Sequence, residues 1–134
     1  IAALGYAALA VDLYEGRIAT TPEEAMEAMR AVDPDAARER LLSALWYVRN
    51  HPSIQAPRTA SLGWCFGGKW SLELAMAAPG LDGAVVYYGQ VTDDVERLRA
   101  IGAEVLGVFG TRDASIPEED VAAFERALAD AGVE

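Results

Sequence analysis

The stretch Gly63-Trp64-Cys65-Phe66-Gly67-Gly68 (GWCFGG) decides the fold of this chain. An apolar run from Thr59 to Leu62 precedes it and is typical of a buried strand. A helical run from Lys69 to Ala78 follows it. The pattern predicts a sharp strand-to-helix turn that holds Cys65 in a strained backbone conformation.

The glycines around Cys65 and the predicted turn together indicate that this cysteine is reactive. Gly63 and Gly67 are expected to leave room for the turn, and Gly68 to let the helix pack close to the sheet. The sulfur of Cys65 would lie at a helix N-terminus, which favours a thiolate, and the backbone N–H of Phe66 could donate to an oxyanion. The sequence therefore predicts a nucleophile elbow with cysteine in place of serine; the alternative is a buried, inert cysteine.

Length and composition indicate one domain, residues 1–134, with a hydrophobic fraction of 52% that supports a core. No apolar run approaches the ~20 residues of a membrane span. The net charge of −10 argues against nucleic acid or an anionic membrane as a partner. A single cysteine excludes an intrachain disulfide and suits a reducing compartment, so we expect a cytoplasmic protein.

Strand and helix patterns alternate along the chain with short connections. Four strands are predicted: Ala7–Leu13, Thr59–Leu62, Gly83–Tyr88 and Val105–Phe109. Besides the helix after the turn, helical patterns occupy Ile1–Gly5 (the tail of a helix), Thr21–Arg30, Asp33–Asn50, Asp93–Ala100 and Ser115–Ala131, two of which open on a capping-box pattern. The alternation predicts an α/β fold, a mostly parallel sheet of about four strands with helices on both faces.

A carboxylate follows the last predicted strand, at the sheet edge where function gathers in α/β folds. Asp113 ends the loop GTRD and lies downstream of Cys65, the place of the acid in the order nucleophile, acid, histidine. Turn chemistry is the alternative for this aspartate. The only histidine, His51, precedes the turn and stands before Pro52, so we expect it to end a helix.

Four motifs together resemble the dienelactone hydrolases, α/β-hydrolase enzymes with a Cys–Asp–His triad. They are AVDLYEGR at 10–17, GWCFGG at 63–68, VVYYG at 85–89 and FGTRDASIP at 109–117. The resemblance implies that Cys65 is the nucleophile and Asp113 the triad acid. It also implies that Arg17 holds a substrate carboxylate and that Tyr88 and Gly89 line the pocket. No metal or organic cofactor is implied.

The family pattern extends beyond this chain at both ends. In the family, the histidine lies on a loop after one further strand, and a second oxyanion donor precedes the first motif. We therefore expect a partial α/β-hydrolase fold that belongs to a longer protein. A strand missing between Ala7–Leu13 and the next predicted strand should leave Ala7–Leu13 without ladder hydrogen bonds to Thr59–Trp64.

Three functional hypotheses follow from the sequence. The first is a hydrolase that cleaves a small lactone or ester through a Cys65 acyl-enzyme, competent only in the longer protein. The second is a catalytically inactive fragment or non-catalytic relative, since the triad is incomplete within the chain. The third is a thiol-redox or glyoxalase-like protein, because other α/β folds also display a cysteine on such a turn.

Overall fold

A computed structural model describes residues 2–134. This part of the chain divides into two compact units, the first ending at Pro57 and the second beginning at Arg58. The first unit holds a short 3-10 helix and two α-helices, and the second holds a three-stranded sheet with three α-helices. The elements are Ala2–Leu4 (3-10), α1 Pro22–Arg30, α2 Pro34–Asn50, β1 Ala60–Trp64, α3 Phe66–Ala77, β2 Gly83–Tyr87, α4 Val95–Leu98, β3 Glu104–Val108 and α5 Glu118–Ala131.

The helices of the first unit begin where their capping residues predict. The Thr21 hydroxyl accepts a hydrogen bond from the Glu24 N–H at 3.2 Å, and the Glu24 carboxylate reaches back to the N–H of Thr20 at 2.7 Å. Asp33 caps α2, with its carboxylate accepting from the N–H of Ala36 at 2.8 Å. Each cap satisfies backbone donors that a helix start leaves without an intrahelical acceptor.

The apolar face of α2 is the one that its spacing predicts. Ala37, Leu41 and Leu45 are buried and Val48 is half-buried, at the three- and four-residue intervals that put side chains on one face. The helix ends at Asn50, and the next residue, His51, serves as its C-cap, with its N–H bonded to the Tyr47 carbonyl at 2.9 Å.

The predicted strand at Ala7–Leu13 was wrong. Within the described residues this segment forms no strand, and its residues are exposed or at most half-buried. An apolar run becomes a buried strand only when neighbouring strands take up its backbone hydrogen bonds. Because the segment is not a strand, the gap of one strand expected between it and Thr59–Trp64 stays a prediction. Before it, Gly5 ends the 3-10 helix with a φ of 83°, while Ile1 lies outside the described residues.

The sheet of the second unit is parallel, with the order β1-β2-β3. It has three strands instead of the expected four because Ala7–Leu13 is not one of them. Residues alternate between its two faces. On the face against α3, Ala84 and Val86 are at most 1% exposed, whereas Leu62, Trp64 and Leu106 on the other face are 48 to 56% exposed.

The end of the chain differs from the prediction in one cap. Asp94 caps the short α4, but Ser115 does not cap α5. The Ser115 N–H donates instead to the Asp113 carboxylate at 2.8 Å, and α5 begins at Glu118, two residues later than the box would place its start. The helix ends on Gly132, whose φ of 77° is the left-handed conformation that commonly closes a helix.

Candidate active site

The turn at Gly63–Gly68, called the Cys65 turn below, has the strained geometry that the sequence predicts. Cys65 lies between β1 and α3 with φ 53° and ψ −116°, a conformation that side chains rarely adopt. Its N–H donates to the Tyr87 carbonyl at 2.9 Å, and its carbonyl accepts from the Lys69 N–H at 3.1 Å. The thiol is exposed at the N-terminus of α3. Two backbone hydrogen bonds thus hold an exposed sulfur at a helix start.

Gly63 is the glycine that makes room for this turn. A Cβ on Gly63 would lie 2.0 Å from the Gly67 carbonyl oxygen and 2.7 Å from the Gly68 nitrogen, closer than real Cβ atoms come. A Cβ on Gly67 would meet no atom of the described chain within 4 Å. The expectation for Gly67 was therefore wrong. The Gly67 backbone fills the space beside Gly63, but the turn does not require Gly67 to lack a side chain.

Gly68 lets α3 approach the end of β2, as predicted. A Cβ there would lie 2.9 Å from both the Tyr87 carbonyl oxygen and the Gly89 Cα. These contacts are made by backbone atoms, which cannot rotate away as a flexible side chain can. Gly68 therefore fixes how closely the first turn of α3 packs against the sheet.

Aromatic side chains surround the turn. Trp64 stacks on Tyr87 with ring centroids 5.7 Å apart, and Phe66 meets the Trp70 ring edge-on at 6.0 Å. The Lys69 ammonium lies 5.4 Å from the Trp70 ring centroid. Offset or edge-on rings at these separations contribute about 1 kcal/mol beyond the area that they bury. Phe66, the proposed oxyanion donor, is the half-buried first residue of α3.

The candidate acid and the thiol leave the sheet at the same edge. The register pairs Trp64 with Tyr87 and Tyr87 with Val108, so β1 and β3 end in one row. Cys65 follows the first of these strands directly, and Asp113 lies five residues past the end of the second. Parallel strands thus bring both residues to the carboxyl edge, where α/β folds place their sites.

Asp113 is half-buried in a tight loop. Its N–H donates to the Gly110 carbonyl at 3.2 Å, and one carboxylate oxygen accepts from the Ser115 N–H at 2.8 Å. These two bonds are the turn chemistry that is the alternative role for this aspartate. The Ser115 bond uses one of the two carboxylate oxygens.

Tyr88 and Gly89, the predicted pocket residues, follow β2 at the same edge. Tyr88 is exposed with a φ of 39°, and its N–H donates to the Val108 carbonyl at 2.8 Å. Gly89 is buried against Gly68. Sequence reasoning gave Gly89 only a place in the pocket and missed this contact, because no local pattern links two glycines 21 residues apart.

Arg17 belongs to the first unit, at the end of a second strained turn. We call residues 12–17 the Asp12 turn. The Asp12 carboxylate accepts from the N–H groups of Tyr14 at 2.8 Å and Gly16 at 2.6 Å. These bonds, that from Tyr14 first, hold the pKa of Asp12 below its usual value. Glu15 has a φ of 58° within the turn.

The exposed Arg17 closes the Asp12 turn through a bond from its N–H to the Tyr14 carbonyl at 3.0 Å. It also lines a cavity of about 90 Å³ within the first unit, together with Arg40 and Ala37 among others. Arg40 pairs with the Glu15 carboxylate at 2.7 Å. Arg17 therefore presents its guanidinium from a turn that has fixed internal geometry.

His51 has the capping role that its sequence context predicts. It is the C-cap of α2, its Nδ1 accepts from the Ser53 N–H at 3.2 Å, and its ring lies 5.0 Å from that of Tyr47. A nitrogen that accepts a backbone hydrogen bond holds the ring in one place in the helix-ending loop. His51 thus has a structural explanation that does not involve Cys65.

Two classes of feature are absent from the described part of the chain. None of its helices is both long and apolar enough to cross a bilayer. Across residues 2–134, no three or more His, Cys, Asp and Glu side chains gather in a group that could hold a metal ion.

The whole chain, residues 1–134, matches the family model described as "Dienelactone hydrolase family". The chain belongs to this family. A relative in Escherichia coli, named "Putative carboxymethylenebutenolidase", is 33% identical over 94 residues, covering 63% of this chain and 34% of the relative. The resemblance drawn from the four motifs is thereby confirmed.

Solved structures support the same assignment. The protein m3DLH superposes with a TM-score of 0.84 at 32% identity, covering 98% of this chain and 57% of that one. A dienelactone hydrolase-like promiscuous phosphotriesterase from metagenomic libraries superposes with a TM-score of 0.80 at 26% identity, covering 98% and 56%. The partial α/β-hydrolase fold is confirmed, and the chain spans between a third and three fifths of the length of these relatives.

Proposed function

We propose that this chain carries the nucleophile and the acid of a hydrolase that cleaves a small ester or lactone. In this proposal the Cys65 turn is a nucleophile elbow, Cys65 attacks the substrate carbonyl, and Asp113 is the triad acid. The observation that carries the proposal is the φ of 53° at Cys65, with the thiol exposed at the start of α3. Strain of this kind costs about 1–3 kcal/mol and gathers at functional sites.

The reaction would proceed in two steps. The Cys65 thiolate attacks the carbonyl carbon, a C–S bond forms, and the tetrahedral oxyanion accepts a hydrogen bond from the Phe66 N–H. The C–O bond to the leaving alcohol then breaks as the alcohol oxygen takes up a proton. Water adds to the thioester in the second step and releases the carboxylic acid and the thiol. No metal or organic cofactor takes part.

The proton acceptor would come from outside these residues. His51 caps α2 in the first unit and is the only histidine of the chain. The chain covers 57% and 56% of the two solved relatives described above, which leaves room for a histidine in a longer protein. Asp113 would orient that histidine through the carboxylate oxygen that Ser115 does not use and stabilise its charged form.

Substrate selection would involve residues at the ends of the strands and in the Asp12 turn. Tyr88 and Gly89 follow β2 at the same sheet edge as Cys65, and we assign them to the pocket wall. Arg17 would hold a substrate carboxylate, since a guanidinium offers two parallel donors to a carboxylate. The proposed substrate is thus a small, carboxylated ester or lactone, and the proposed location of the enzyme is the cytoplasm.

The test is turnover of p-nitrophenyl acetate and of a carboxylated lactone by the complete protein. Cys65→Ala should lower kcat by about a thousandfold or more, since no other group in the turn can attack the carbonyl. Asp113→Asn should lower it by about a hundredfold or more. Asp120→Asn, on the exposed first turn of α5, is the control and should leave kcat unchanged. Full activity in Cys65→Ala would remove the nucleophile from the proposal.

A non-catalytic chain is the second candidate, because His51 is committed to a helix end. The 134-residue chain alone should show no turnover above background. Robust turnover by the chain alone would contradict both this candidate and the need for an outside histidine.

Rapid peroxide oxidation of Cys65 in a complete protein that turns over no ester would favour the thiol-redox alternative instead.

A further inference from the structure

Gly89 and Gly68 touch backbone to backbone where β2 ends and α3 begins. A Cβ on Gly89 would lie 2.4 Å from the Gly68 carbonyl carbon and 2.5 Å from the Lys69 nitrogen. Real Cβ atoms essentially never come this close. The atoms that a Cβ on Gly89 would meet belong to the backbone, so no side chain can move aside to relieve the collision.

The contact, and not the backbone conformation, is what requires glycine at this position. The positive-φ glycines of the described chain are Gly5, Gly16 and Gly132, so the φ of Gly89 is open to other residues. The strained residue is its neighbour Tyr88, which turns the chain out of β2 with a φ of 39°. Alanine at Gly89 would therefore disturb the Gly68 contact without the penalty of a positive φ.

Cys65 is hydrogen-bonded to both elements that meet in this contact, β2 and α3. Its N–H donates to the carbonyl of Tyr87, the last residue of β2, and its carbonyl accepts from the N–H of Lys69 in the first turn of α3. Any change in the spacing between β2 and α3 is thus transmitted to Cys65 through two hydrogen bonds. The spacing itself is set where Gly89 meets Gly68.

We propose that Gly89 is a positioning residue for Cys65: it sets the distance between the first turn of α3 and β2, and so the place of the helix N–H groups around the sulfur. Moving a Cβ on Gly89 from 2.4 Å to the 3.4 Å of an ordinary contact displaces that turn by about 1 Å. A misplacement of this size can cost a reaction about a hundredfold. Because it acts on Cys65, this role of Gly89 rests on the proposed function.

The experiment compares Gly89→Ala with Gly110→Ala in the complete protein. Each glycine lies two residues past the end of its strand, but a Cβ on Gly110 meets no described atom within 4 Å. Two quantities are measured at one pH: kcat and KM for an ester, and the second-order rate constant for alkylation of Cys65 by iodoacetamide. Mass spectrometry of the Cys65 peptide locates the adduct.

We expect Gly89→Ala to lower both kcat and the alkylation rate about tenfold to a hundredfold, with KM changed less than threefold. Gly110→Ala should leave all three quantities within twofold. A residue that only lined the pocket would raise KM and spare the alkylation of Cys65 by so small a reagent. Unchanged alkylation in a folded Gly89→Ala protein would overturn the proposal.

A second variant covers the case in which Gly89→Ala does not fold. Cys65→Gly removes the strain at position 65, because glycine adopts a positive φ at little cost. The turn could then adjust to a displaced α3. The combination of Cys65→Gly with Gly89→Ala should then recover a cooperative unfolding transition. A double variant as unfolded as the single one would contradict the coupling.

The alkylation comparison also separates the role of Gly89 from the proposed hydrolase function. The alkylation rate still reports on the position of Cys65 if the protein hydrolyses no ester at all.

Discussion

The Cys65 turn and the Asp12 turn solve the same conformational problem by different means. Each forces a residue other than glycine to a positive φ, 53° at Cys65 and 58° at Glu15. In the first turn, glycine backbones in close contact and main-chain hydrogen bonds hold the conformation. In the second, one carboxylate accepts two backbone N–H groups. The first turn is therefore sensitive to added volume, and the second to loss of a charge.

The largest effect that tests this contrast is expected at Gly63. Gly63→Ala places a methyl group 2.0 Å from the Gly67 carbonyl oxygen, and only a backbone shift can relieve it. We expect the free energy of unfolding to fall by about 3 kcal/mol or more, at the upper end of overpacking effects. Urea unfolding of the complete protein measures it. A loss below about 0.5 kcal/mol, the size of an ordinary surface substitution, would show that the turn is not sterically held.

The next effect concerns the strain itself. Cys65→Gly should raise the free energy of unfolding by about 1 kcal/mol, because glycine adopts the observed φ at little cost. Turnover should be lost at the same time, a gain in stability at the expense of activity. Thermal melting and an ester assay check the two halves. Cys65→Ala is the matched control, since it removes the sulfur but keeps the strain; equal stability of the two variants would contradict stored strain.

A smaller effect of the same sign is expected at Gly67. A Cβ there touches nothing in the described structure, and the residue is helical, so Gly67→Ala should stabilise by about 0.5–1 kcal/mol through the unfolded chain. The measurement is the urea midpoint beside that of Gly63→Ala. Two glycines four residues apart would then respond to the same methyl group in opposite directions. A destabilised Gly67→Ala would mean that the turn is tighter than its contacts indicate.

The smallest effect belongs to the Asp12 turn, whose carboxylate is exposed. The pKa of Asp12 is lowered in the folded chain, so its contribution to stability is present above the ordinary aspartate pKa of about 3.9. The contribution is lost as pH falls from there through the lowered value. Asp12→Asn keeps an acceptor oxygen and should flatten this dependence. Carbon-detected NMR titration of Asp12 checks the direction; an ordinary or raised pKa would contradict it.

Local signals in the sequence predicted those elements whose stabilising contacts are also local. The start of α2 at Asp33-Pro34 and its end at Asn50 follow from residues within one helical turn. The strained apex at Cys65 follows from glycines at fixed offsets. By contrast, Ala7–Leu13 has the composition of a buried strand, but strand formation depends on neighbours that no local pattern supplies.

Two finer predictions failed for the same kind of reason. Gly63 and Gly67 look equivalent in the motif, and only the three-dimensional turn shows that one needs to be small and the other does not. Ser115 has the spacing of a capping residue, yet the Asp113 carboxylate takes its N–H. Competition between polar partners and close approach between distant backbones are both properties of the fold, and sequence spacing does not reveal them.

The register of the sheet sets where the loops of the candidate site begin. Because Trp64, Tyr87 and Val108 end in one row, the three loops that follow start from a common line. Insertions in the loop from Gly110 to Pro117 would leave that line intact. One residue inserted within β3 would instead move the Asp113 loop by about 3.3 Å along the sheet and invert the faces of the following side chains. Length variation in this protein should therefore be excluded from within its strands.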